Sequence, residues 1–155
     1  MNRAWFHHSD EQYRWVTDFV SRIIWGSPRE MPLGTALAIA DGATPIAGVV
    51  FNNYDDETQT LEISAASQSK RWLSRPILFE MYSYCFDQMG CQAVIQRNDP
   101  ADKPLARMLT AYGFNRYDIP RLRGRNKGEA IFVLTDDAWR ANGFHKENSD
   151  GQTGT

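Results

Sequence analysis

The chain has 155 residues and a net charge of −2, with a sequence pI near 5.9. This length suits one domain with a sizeable core, and the acidic balance argues against a general nucleic-acid binder. Cys85 and Cys91 lie in apolar segments and the three histidines lack metal-ligand spacing, so neither a disulfide nor a metal site is predicted. With no apolar leader and no run of about 20 apolar residues, the chain is expected to be cytoplasmic, without membrane contact.

The N-terminal segment predicts a strand and then a helix. Residues 3–7 are expected to form the strand, and Ser9 or Asp10 to cap the helix. The residues predicted to form its core-facing stripe are Trp15, Phe19, Ile23 and Ile24. Gly26 and Pro28 end the helix.

A three-strand meander is predicted next. The apolar runs 36–40 and 46–51 flank Asp41-Gly42, a typical β-hairpin turn because glycine tolerates positive φ. A polar connection over 52–60 leads to a third strand, Leu61–Ala66.

A basic turn, residues 68–76, separates this strand from an amphipathic helix that ends at Gly90. A buried strand over 93–95 follows, and then a helix that Asp99 or Asp102 caps and Gly113 ends. Residues 130–134 predict the last strand, and residues 137–142 a short terminal helix or turn. We expect one domain over residues 1–144 and a disordered polar tail over residues 145–155.

The order of these parts, with Asn98 after the buried strand and Tyr112-Gly113-Phe114 after the second helix, resembles the GNAT superfamily of acyl-CoA-dependent N-acyltransferases. The resemblance covers roughly residues 35–134. It implies an α+β fold, in which an antiparallel meander continues into a parallel strand pair and helices cover both faces of the mixed sheet. It also implies acetyl-CoA as co-substrate.

In GNAT enzymes the coenzyme pyrophosphate binds at a turn of the form Arg/Gln-x-x-Gly-x-Gly/Ala. The matching segment here runs from Arg71 to Pro76, with Ser74 and Pro76 in the two small positions. Proline cannot donate an amide to phosphate. The coenzyme-binding residues that the resemblance implies are Ala66, Ser67, Arg71, Trp72, Ser74, Arg75 and Asn98. The turn could instead be a solvated loop that caps an ordinary helix, and Asn98 could cap the next helix.

The catalytic candidates lie on the third strand. Glu62 matches the strand glutamate that many family members use as a base, and Ser64 is a candidate for proton transfer. Glu62 could equally be an exposed residue that pairs across the sheet. Leu109 occupies the position where many GNAT enzymes carry a general-acid tyrosine, so the usual acid is missing.

Residues 121–127 carry four positive charges and no acid. By the resemblance they border the acceptor site, so Arg121, Arg123 and Arg125 are predicted to bind an anionic acceptor. A soluble hairpin loop is the alternative. The leading hypothesis is an N-acetyltransferase acting on an unidentified amine, as a monomer or homodimer. The alternatives are an inactive GNAT-fold binding protein and a GNAT-like modifier of nucleic acid or tRNA.

Overall fold

A computed structural model describes residues 1–142 and residue 144. They form two compact units. The first unit comprises Met1–Asp55 and Leu61–Ser74, and the second comprises Asp56–Thr60 and the chain from Arg75 onward.

Antiparallel strands form most of the first unit. In chain order its strands are β1 (Asn2–His7), β2 (Gly34–Asp41), β3 (Thr44–Asp55) and β4, which begins at Thr60 and ends at Ser67. Ala4 lies opposite Ala38, and Leu37 lies opposite Val49. Six consecutive residues of β3, Ala47–Asn52, are buried, so this strand is the centre of the unit's core.

Helix α1 (Glu11–Trp25) packs on this sheet through a stripe that differs from the predicted one. Tyr13, Val16 and Val20 are buried, whereas Trp15 is 68% exposed and Ile23 and Ile24 are partly exposed. Phe19 packs against the core as predicted, whereas the prediction was wrong for Trp15, Ile23 and Ile24, because the buried face is rotated about the helix axis. The close approach of the helix to β3 is at Gly48: a Cβ there would stand 2.9 and 2.8 Å from methyl groups of Val16 and Val20, so the glycine makes room for these two side chains.

The second unit contains both strands and helices. Its elements are α2 (Arg75–Ser83), a π-helical segment (Tyr84–Gln88), β5 (Ala93–Asn98), α3 (Lys103–Tyr112), β6 (Asn115–Gly124), β7 (Lys127–Thr135) and α4 (Asp136–Ala141). The strand order is β5-β7-β6, and both pairings are antiparallel. Thus β7 is the central strand of the three and β6 is at the edge.

Aromatic side chains fill the core of the second unit. Trp139 is fully buried and stacks with Phe86 at a centroid distance of 5.2 Å and with Phe79 at 5.8 Å. Its indole N–H donates to the Tyr112 hydroxyl at 3.0 Å. Burial raises the pKa of Tyr112 to about 12. The short α4 therefore packs into the core of the unit through one tryptophan.

Several predicted elements have different bounds. β3 extends through Asp55, into the segment expected to be a polar connection, and β5 continues to Asn98. The single helix expected up to Gly90 changes to π-helical geometry at Tyr84. Cys85 and Cys91 are free and buried, as predicted. The domain bounds stay a prediction, and the tail over 145–155 lies outside the described residues. No helix in the described part of the chain is long and apolar enough to cross a membrane.

Candidate functional site

Glu62 lies on β4 and is held by a neighbouring strand. The amide Nδ2 of Asn53 donates to Glu62 Oε2 at 2.8 Å. Asn53 has a left-handed φ of 55°, which is uncommon for a residue other than glycine. Asparagine tolerates this conformation better than most residues, and the contact is the pairing across the sheet that was the alternative for Glu62. Ser64 is half-buried on the same strand.

The turn after β4 is organised by two serine hydroxyls. Ser67 Oγ accepts the N–H of Ser69 at 2.9 Å, and Ser69 Oγ accepts the N–H of Arg71 at 3.2 Å. The N–H of Gln68 donates to the Ile46 carbonyl at 2.9 Å. The chain thus turns away from β4 in a fixed conformation before it reaches the basic side chains.

The predicted coenzyme residues of the first unit differ in exposure. Ala66 is buried in the core beside Tyr13 and Val16, so only its backbone could reach a ligand. Arg71 and Ser74 are exposed, and Trp72 is half-buried. Their role in coenzyme binding stays a prediction.

Arg75 and Pro76 begin α2 in the second unit. The Arg75 guanidinium lies 5.0 Å from the ring centroid of Phe144, in a cation–π contact. Arg75 therefore has a structural contact in addition to its predicted role. Pro76 has no N–H, so this helix start offers one amide fewer than the family's turn.

Asn98 ends β5 with an unpartnered amide. Among the described residues its Nδ2 is the only buried side-chain nitrogen or oxygen without a hydrogen-bond partner. The alternative that Asn98 caps α3 is wrong, because Asp102 is the N-cap and accepts the N–H of Leu105 at 3.2 Å. Leaving such a donor unpaired costs about 1–3 kcal/mol, so it calls for a functional explanation.

The basic segment, residues 121–127, comprises the end of β6, the two residues that connect the strands and the first residue of β7, and the expectation that no acid neutralises it was wrong. Arg123 binds the carboxylate of Glu129 on β7, and Lys127 Nζ lies 3.0 Å from Asp99 Oδ2. The N–H of Ala101 and the Lys127 ammonium hold the pKa of Asp99 below its usual range. Arg121 and Arg125 are exposed and form no ion pair with the described residues.

The sequence reasoning missed Glu129 and its second partner, Arg97. The signal was available, since Glu129 is a lone acid directly before the apolar run 130–134. An acid in a buried strand requires a cation. What the sequence could not supply was which cation the strand pairing brings there.

Tyrosines that could replace the missing acid are mostly in the core. Leu109 is 2% exposed, so the position of the family's tyrosine is itself buried in this chain. Tyr82 and Tyr112 are buried, with ring centroids 5.2 Å apart, and desolvation raises both pKa values. Within the described residues, no three histidine, cysteine or acidic side chains are grouped to hold a metal ion.

Several solved structures that are similar to this chain are described as acetyltransferases. The spermidine N-acetyltransferase SpeG of Vibrio cholerae, as a point mutant, has a TM-score of 0.69 at 10% identity, with 91% of this chain and 98% of SpeG covered. A GCN5-related N-acetyltransferase from Brucella melitensis has a TM-score of 0.60 at 18% identity, with 86% and 70% covered. A protein from T. thermophilus, provisionally described as an acetyltransferase, has a TM-score of 0.57 at 17% identity, with 68% and 61% covered.

No protein-family model matches the sequence, and no curated protein matches it. The chain spans about three fifths of the length of some proteins that share its fold. It has the fold of the GNAT acetyltransferases, which confirms at the level of fold the resemblance and the α+β class predicted from the sequence.

Proposed function

We propose that this protein is an N-acetyltransferase that takes its acetyl group from acetyl-CoA. The observation that carries the proposal is the unpartnered amide of Asn98, at the end of a strand in a chain with the acetyltransferase fold. The resemblance implied that Asn98 binds the coenzyme, and its alternative role as the cap of α3 is taken by Asp102. A buried donor without a partner in the protein is available to donate a hydrogen bond to a bound ligand.

Acetyl transfer to an amine forms a C–N bond and breaks the C–S bond of the thioester. The amine nitrogen gives up a proton and the departing thiolate gains one, so the products are an amide and the free thiol. We assign the first proton transfer to Glu62, whose carboxylate the Asn53 amide orients. Ser64 is the candidate for a proton relay on the same strand. Arg71, Ser74 and Arg75 would bind the pyrophosphate by charge and hydroxyl donation, which offsets the amide absent at Pro76.

A second candidate function is binding without catalysis. Leu109 favours it, because a buried leucine occupies the position of the family's general acid. The two candidates differ in turnover and agree on coenzyme binding. They are therefore separated by measuring free thiol release in the presence of amines.

Thermal unfolding with acetyl-CoA tests the coenzyme. At about 100 times its dissociation constant, a ligand stabilises the fold by about 2.7 kcal/mol. Arg71→Ala should weaken acetyl-CoA binding about tenfold, which corresponds to about 1.4 kcal/mol. Arg107→Ala is the matched control, since it removes an exposed arginine from α3. The absence of any shift with the native chain would refute the proposal, and equal affinities of the two variants would remove the turn from it.

A further inference from the structure

Three charged side chains meet on the three strands of the second unit. Glu129 on β7 has a side chain only 5% exposed. Arg97 on β5 donates through Nε to Glu129 Oε1 at 2.9 Å, and Arg123 at the end of β6 donates through Nε to Oε2 at 3.1 Å. Each carboxylate oxygen thus orients a different guanidinium, and we refer to the three residues as the arginine clamp.

The arginine clamp carries one more positive charge than its acid requires. A single arginine would neutralise Glu129, and placing a further charge in a partly desolvated position costs free energy. The Arg97 and Arg123 side chains remain 46% and 24% exposed, so both reach solvent. Two fixed, planar guanidinium groups with a net charge of +1 match the geometry and charge of an oxyanion.

The surroundings favour an oxyanion attached to an organic group over a bare ion. Arg97 and Tyr117 lie on either side of Ile131, because both are opposite it in the strand register. Tyr117 is 55% exposed, and Ile119, opposite Glu129, is 37% exposed. A half-exposed apolar surface therefore borders the arginine clamp.

We propose that Arg97 and Arg123, oriented by Glu129, bind a carboxylate or phosphate group of the amine acceptor, whose remaining part packs on Tyr117 and Ile119. The identification of this ligand as the acceptor rests on the proposed function, whereas the oxyanion site does not. A polyamine is the wrong charge for this surface, so the acceptor class differs from that of the spermidine N-acetyltransferase with the same fold.

Direct binding tests the site without acetyl-CoA. The probes are O-phosphoethanolamine and β-alanine, with ethanolamine and β-alaninamide as their neutral-headed counterparts, titrated by calorimetry. Arg123→Gln should weaken binding of the anionic probes at least tenfold. The matched control is Arg107→Gln, which removes the same charge from an exposed position on α3 and should change the affinity less than twofold.

Two further variants test whether the loss of binding comes only from the changed net charge, from an unpaired buried carboxylate or from the pyrophosphate turn. Arg123→Gln combined with Glu129→Gln keeps the net charge of the clamp at +1 and leaves no unpaired buried carboxylate; binding should still fall tenfold. Arg71→Ala should leave probe binding unchanged, because the predicted pyrophosphate turn is not involved. Equal losses in Arg123→Gln and Arg107→Gln, or no binding of either anionic probe at millimolar concentration, would overturn the proposal.

A turnover measurement separates this proposal from the proposed function. With acetyl-CoA present, thiol release should be faster with each anionic amine than with its neutral counterpart or with spermidine, and Arg123→Gln should raise the KM of the anionic amine without altering the acetyl-CoA shift. Anion binding without thiol release would retain the clamp and refute catalysis. Turnover of spermidine or ethanolamine that is indifferent to Arg123→Gln would refute the clamp and retain catalysis.

Discussion

Strands β3 and β6 are both long, yet their surroundings are opposite. Residues Ala47–Asn52 of β3 are buried without interruption, whereas residues 115–122 of β6 are all exposed. β6 is held by its pairing with β7 and by the Arg116 guanidinium, which lies 5.7 Å from the centroid of the Phe132 ring. One strand thus stabilises the fold, and the other presents side chains to solvent.

Alanine substitutions test this contrast most severely. Phe51 is 1% exposed and stacks with Trp5 at 5.4 Å, so Phe51→Ala should lower the free energy of unfolding by about 3–5 kcal/mol. Tyr117→Ala on β6 should change it by less than about 0.5 kcal/mol. Urea unfolding measures both variants, and similar losses would show that β6 belongs to the core.

Alkaline pH sharpens the same contrast between a buried and an exposed tyrosine. The Tyr112 pKa is raised to about 12 in the folded chain, from about 10 when unfolded, so its contribution to stability is complete below pH 10 and is lost as the pH rises to 12. The loss amounts to about 3 kcal/mol, since each pKa unit corresponds to about 1.4 kcal/mol.

Tyr112→Phe should therefore be less stable at neutral pH, since Trp139 loses its acceptor, but should lose less stability between pH 10 and 12 than the native chain. Tyr117→Phe is the exposed control and should keep the native dependence. Urea midpoints at pH 9, 10, 11 and 12 give the slopes. An unchanged slope in Tyr112→Phe would contradict the assignment.

The smallest expected effect concerns the point where β3 leaves the core, at Asn53. Asn53→Gly keeps the positive φ and removes only the amide that binds Glu62. We expect kcat to fall about fivefold, or about 1 kcal/mol, with acetyl-CoA affinity unchanged.

Gln59→Gly is the control for backbone freedom, because Gln59 also has a positive φ of 58°. Steady-state thiol release with the preferred amine measures both variants. A native kcat in Asn53→Gly would mean that this hydrogen bond does not serve Glu62.

The contrast also explains what the sequence could predict. Signals tied to burial or to local backbone geometry worked, since Asp102, Gly113 and the Asp41-Gly42 turn occupy their expected places. β6 lacks an apolar run, and its extent follows from pairing with β7, which is not a local property. The same limit applies to the site. The basic segment could be recognised in the sequence, but its acid, Glu129, is brought to it by strand pairing. The buried face of α1 was predicted incorrectly because it depends on the contact with Gly48 of β3, which the sequence of the helix does not show.

The π-helical segment Tyr84–Gln88 has a consequence for changes of chain length. A π-helical turn holds one residue more than the α-helical turn of similar rise, and here the N–H of Met89 donates to the Tyr84 carbonyl five residues earlier. An insertion or deletion within β7 would reverse every side chain between the two faces of the sheet. In the segment Tyr84–Gln88, by contrast, the π-helical turn already contains one residue more than an α-helical turn. A sequence alignment with a protein whose helix is uninterrupted here therefore requires a one-residue gap at this segment.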